Sequence, residues 1–183
     1  MASIDIIEEL HKRIGSKQVP KIDPNTQAPI ENEISSTDIR SAIIPAVLVG
    51  FYKHTRNEED AAKLMIEEGN NATLENLFGD GKDKIIKSIA GYSGVSEIYA
   101  EEQMKNTVSV TKDILIEDNK EVDGKTVSNF FTDQRSNILK HLPAELNLGE
   151  LMNDASIDDR TNKMEGPMSG IMHTIEKVFS STK

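Results

Sequence analysis

Apolar residues in this chain recur at three- and four-residue intervals far more often than they alternate, the pattern of helices packed on a core. Ile4, Ile7, Leu10 and Ile14 form one broad stripe and predict a first helix over Ser3 to Ile14, with Gly15 placed to stop it. Ser16 to Ser35 then loses all periodicity, carries Pro20, Pro24 and Pro29, and is long for a loop inside a compact domain, so it reads as a linker or extended arm. From Ser36 or Thr37 as N-cap, Ile39, Ile43, Ile44, Val47, Leu48 and Phe51 make a second helical face. Pro45 inside that run removes a backbone donor and crowds the preceding turn, which predicts a kink or a break into two helices.

Asn57 caps a third segment, Glu58 to Glu68, with Ala61, Leu64 and Met65 inward and early acids suited to the positive end of the helix dipole. Gly69-Asn70-Asn71 ends it, and Thr73 to Phe78 forms a short helix closed by Gly79-Asp80-Gly81. Ile85, Ile86, Ile89 and Ala90 mark the next helix, Ser93-Gly94-Val95 a tight turn, and Ser96 the cap of a long helix through Ile98, Tyr99, Met104, Val108 and Leu115. That is helix-turn-helix grammar: small Ala90 lets the helices approach, and Gly94 takes a turn conformation that other residues resist. Thr126 to Leu142 follows with Val127, Phe130, Phe131, Ile138 and Leu142 on one side, ended by Pro143. Leu142-Pro143-Ala144-Glu145-Leu146 echoes Ile44-Pro45-Ala46-Val47-Leu48, a hint of an old duplication. Asp154 to Glu165 is polar and acidic, and after Pro167 the residues Met168, Ile171, Met172, Ile175, Val178 and Phe179 return at helical spacing. The chain thus divides into an N-terminal helix and linker (1–35), a helical core (36–153), and an acidic linker with a C-terminal amphipathic helix (154–183). The fold class is all-α, a multihelical bundle of about eight helices.

Composition narrows the functions this pattern can carry. The net charge of −10 over 183 residues opposes any polyanion, and the Lys82, Lys84 and Lys87 cluster is interrupted by Asp83. Nucleic acid is disfavoured further because the second helix of the pair opens with Glu97, Glu101 and Glu102, which would face phosphates, and because the chain has no tryptophan for base stacking. The absence of cysteine excludes disulfides, thiolate metal sites and thiol nucleophiles, and fits a reducing compartment. The acidic first residues do not resemble a secretory signal, no stretch is apolar enough to span a membrane, and a cytoplasmic location is the expectation.

The apparent site motifs lack their context. Gly124-Lys125-Thr126 imitates the end of a phosphate-binding loop, but Asn119 stands where its first glycine belongs and no βαβ pattern surrounds it. Asn119 to Gly124 also imitates a calcium loop, with Phe130 where a bidentate glutamate is required. His11, His54, His141 and His173 lie far apart and read as surface or helix-end residues, without zinc spacing. Glu101-Glu102 and Asp158-Asp159 are consecutive, so each pair diverges on a helix. No catalytic, cofactor-binding or metal-ligating residue is predicted.

Ile89-Ala90-Gly91-Tyr92-Ser93-Gly94-Val95-Ser96 leading into a long helix, then Phe130-Phe131-Thr132-Asp133-Gln134-Arg135, Ile138 and Leu142-Pro143-Ala144-Glu145-Leu146, resembles the YidB-like family of bacterial helical proteins, a family of unknown function. The resemblance spans Lys82 to Met152, and departs where Val108-Ser109 replaces a frequent Leu-Pro pair and where Gly- and Leu-rich loops are missing. It implies an all-α fold with homeodomain-like three-helix units and no catalytic residues. The functional expectation is a non-enzymatic interaction or structural module that binds a protein partner or a second copy through Met168, Ile171, Met172, Ile175, Val178 and Phe179. The alternative is a nucleic-acid-binding regulator using the pair at Ile85 to Ile116.

Overall fold

The computed structural model describes residues 4–15, 39–66, 69–118 and 123–158. Among them the chain is helical, with no strand: α1 (Ile6–Ile14), α2 (Ile39–His54), α3 (Glu58–Ile66), α4 (Asn70–Phe78), α5 (Lys82–Ser93), α6 (Glu97–Asp118), α7 (Gly124–His141), and the single turns α8 (Leu148–Leu151) and α9 (Ala155–Asp158). Short 3₁₀ turns at Gly79–Gly81 and Ala144–Leu146 link α4 to α5 and α7 to α8. The all-α bundle expected from spacing is what forms.

The fold is organised around α2. Every residue from Ala42 through Phe51 is buried, not only the face drawn by Ile43, Ile44, Val47 and Leu48. A helix apolar on all sides has to be wrapped on all sides, and α1, α4, α5, α6 and α7 all touch it. Gly50 permits a close approach, since a β-carbon there would stand 2.9 Å from the Phe78 ring. The expected break at Pro45 does not occur: α2 runs unbroken through it. Proline keeps a helical φ, and burial of its ring and neighbours offsets a helix-interior cost of roughly 3 kcal/mol. Phe131 of α7 stacks on Phe51 with ring centroids 5.3 Å apart, and Phe130 meets Phe131 edge-on at 5.4 Å.

Helix ends shift where a cap outcompetes the apolar pattern. Asp5, not Ser3, starts α1, accepting from the amides of Ile7 at 3.0 Å and Glu8 at 3.1 Å. Ile4 falls outside the helix, and its carbonyl accepts from Gln134 Nε2 at 2.9 Å. Gly15 ends α1 in the left-handed conformation, as its position suggests. Asn70, expected to lie in a break, is already helical. α7 begins at Gly124 because Asp123 accepts from the Thr126 amide at 2.6 Å.

α1 buries Ile6, Ile7 and Leu10 against α2, α6 and α7. Ile157 is buried as well, on a turn held by Arg56 and Arg135. The echo between Ile44-Pro45-Ala46 and Leu142-Pro143-Ala144 has no structural counterpart. Pro45 sits mid-helix, whereas Pro143 is extended (φ −61°, ψ 130°) after a helix has ended.

Candidate functional site

The helix-turn-helix pair is present as α5 and α6, and with α4 it forms a unit in which all three helices touch. Ile85, Ile86, Ile89 and Ala90 bury one side of α5. The chain then reverses at Gly94, which is left-handed (φ 68°, ψ 32°) while the amides of Gly94 and Val95 return to the Ala90 carbonyl. The Ser96 hydroxyl accepts from the Tyr99 amide at 3.3 Å and opens α6.

Met104, Val108 and Leu115 of the long helix face the core, whereas Ile98 and Tyr99 at its start do not. Ala100, Met104, Thr107, Val108, Thr111 and Leu115 are its buried line. Ile98 lies two residues, about 200° around the helix axis, from Ala100 and points away. Consequently Ile98 is 81% exposed and Tyr99 45%. Tyr92, at the end of α5, is 37% exposed, and Val95 between them is half-buried. Burial and the neighbouring Glu145 carboxylate both push the Tyr92 phenol above its ordinary pKa. The corner therefore presents large apolar side chains within one turn of the exposed carboxylates Glu97 and Glu102, while half-buried Glu101 is held by Lys105 at 2.9 Å.

Other candidate chemistry resolves into packing. Gly124 of the phosphate-loop imitation abuts α3, where a β-carbon would lie 1.9 Å from the Glu58 carbonyl oxygen; its lack of a side chain lets α7 cross α3. Asp123, of the calcium-loop imitation, caps α7, and bonds from the Thr126 side chain and amide hold its carboxyl below the ordinary range. His11 lies in the last turn of α1, a helix-end position as expected, but it is buried there instead of at the surface. His54 and His141 lie in the last turns of α2 and α7, with His141 Nδ1 2.8 Å from the Asn137 carbonyl oxygen. Among the described residues no three or more His, Asp or Glu side chains are grouped to hold a metal ion, and no helix is long and apolar enough to cross a membrane.

An open cleft of about 300 Å³ lies between the ends of α2 and α4 and the α8 turn, lined by His54, Asn76, Asp80 and Asn153. The Lys53 ammonium in it donates to the Met152 carbonyl and so ties α2 to α8. Beside it is a cluster that residue spacing could not reveal, because its members come from three distant parts of the chain. Arg56 pairs with Asp154 at 2.7 Å and donates to the Ser156 hydroxyl at 3.0 Å, while Arg135 donates to the Ser156 carbonyl at 3.0 Å. Both guanidiniums lie over the Tyr52 ring, at 4.6 and 5.8 Å from its centre.

The residues singled out for partner binding, Met168, Ile171, Met172, Ile175, Val178 and Phe179, lie outside the described residues, as does His173. The chain matches none of the protein-family models, curated proteins or solved structures with which it was compared.

Proposed function

We propose that this chain is a non-enzymatic interaction module and that the corner between α5 and α6 is its docking face for another protein. The observation that carries this reading is Ile98, an isoleucine 81% exposed at the start of a helix, next to two partly exposed tyrosines. Ala100, Met104, Val108, Ile114 and Leu115 of α6 are spent on the core, whereas Ile98 and Tyr99, like Ile116 at the far end of the helix, are not, so the side chains at the corner are surplus to folding. Aromatic and aliphatic anchors in one small patch are what protein interfaces use as their energetic centre. The corner suits a nucleic acid poorly: DNA-binding helices of this geometry present cations to phosphate, and this one presents Glu97 and Glu102.

Site-specific photo-cross-linking in the cells that make the protein tests the reading. A photoreactive residue in place of Ile98 should give a discrete protein adduct that the same residue at exposed Lys140 does not give. Identical labelling from both positions would overturn it, as would retardation of duplex DNA that weakens steeply with salt.

A further inference from the structure

Resting on the corner as a docking face, we propose that its partner is a cationic amphipathic segment of another protein, with an apolar anchor flanked by lysine or arginine. Ile98, Tyr99 and Tyr92 give the anchor its surface. The flanking charge selects what can approach. Residues 91–106 hold Glu97, Glu101 and Glu102 against Lys105 alone, and Lys105 is spent on Glu101 at 2.9 Å. Among the described residues neither Glu97 nor Glu102 has a cationic partner, and Glu145 adds a further carboxylate beside Tyr92. Lys87, one turn before Gly91, is the exposed cation nearest in sequence on α5.

These charges argue against the other occupants. A second copy docking symmetrically would set Glu97 and Glu102 against their own counterparts, and like charges across an interface oppose association. Phosphate backbones meet the same repulsion. A segment bearing lysines beside a leucine or aromatic anchor gains on both counts, because each cation meets an unpaired carboxylate as the anchor covers Ile98.

The test uses the full chain and two labelled amphipathic peptides, one of leucine and lysine, the other with glutamate at every lysine position. The lysine peptide is expected to bind at least about tenfold more tightly, a gap of ~1.4 kcal/mol, and to weaken with salt. Ile98→Asn with Tyr99→Ser should abolish that binding, and Glu97→Lys with Glu102→Lys should reverse the preference. These positions are exposed, so circular dichroism should show an unchanged fold. Reversing exposed acids elsewhere, Glu59→Lys with Asp133→Lys, should leave the affinity nearly unchanged.

Binding that ignores Ile98→Asn, or falls equally with the distant reversal, reports bulk charge and overturns the proposal. A doubled mass in light scattering that Ile98→Asn returns to one chain identifies a second copy as the occupant and also overturns it. Failure of the lysine peptide to bind a single-chain species does the same, yet leaves the docking face standing if position 98 still cross-links to a protein.

Discussion

Gly124 and Gly91 are both glycines inside helices, and the structure assigns them opposite roles. A β-carbon at Gly124 would stand 1.9 Å from the Glu58 carbonyl oxygen, so Gly124→Ala must force α3 and α7 apart. The cost should reach or exceed the upper end of the ~1–3 kcal/mol typical of overpacking, because the obstacle is backbone and cannot rotate away. Gly91 has nothing within 4 Å of the same position, is exposed, and lies in α5. Gly91→Ala should therefore stabilise by about 0.5–1 kcal/mol through helix propensity alone. Urea denaturation of the two variants checks both signs, and a neutral Gly124→Ala would show that the α3–α7 crossing is looser than described. Neither role is legible from spacing, since nothing local says that Glu58 lies across from Gly124. Ile98 is a similar case. Its apolar character is visible in the sequence, but its direction depends on Ala100 and Met104 defining the buried line.

At the scale of elements, the helices were readable because their apolar stripes repeat, and their ends were less so because caps are single residues. Asp5 and Asp123 each shifted a start, and Pro45 failed to break α2 because its surroundings are apolar on every side. The turn at Ala155–Asp158 is hard to see in the sequence for the opposite reason: one apolar residue, Ile157, makes no periodic pattern, and the turn is held by polar contacts of Arg56, Arg135 and Asp154. Those contacts predict that its stability depends on pH. Burial raises the Asp154 carboxyl, but the Ser156 hydroxyl, the Arg56 charge and the Ser156 amide outweigh it and hold the group below its ordinary value of 3.8. A carboxyl lowered on folding contributes stability that is complete above the unfolded value and fades as pH falls through the folded one. Asp154→Asn should thus cost roughly 1 kcal/mol near neutral pH, the upper range for a partly exposed pair. The difference from the parent chain should shrink steadily below about pH 4. A penalty that stays constant down to pH 2 would show that the Arg56 pair contributes nothing.

For the molecule as a whole, the question is whether α1 and the central bundle unfold together. The sequence sets α1 apart by a proline-containing stretch, yet its side of the structure is tied to the core at several independent points. Leu10 is fully buried, Arg13 pairs with Glu117 of α6 at 2.7 Å, and Arg40 of α2 donates to the Ile14 carbonyl at 2.9 Å. Asn137 of α7 reaches the Asp5 carboxylate at 2.8 Å, so the cap of α1 is shared with another helix. Exposed ion pairs such as Arg13–Glu117 add little on their own, and the coupling is carried by Ile6, Ile7 and Leu10 against α2, α6 and α7. Leu10→Ala should cost about 2–5 kcal/mol and Phe131→Ala about 3–5 kcal/mol, each a large part of the 5–15 kcal/mol typical of a domain. If α1 belongs to one cooperative unit, both variants lower the midpoint of the same single transition, and helix content and hydrogen exchange report it together. An early transition that appears with Leu10→Ala, while the amides of α7 keep their protection, would instead make α1 a separately melting element docked on an independent core.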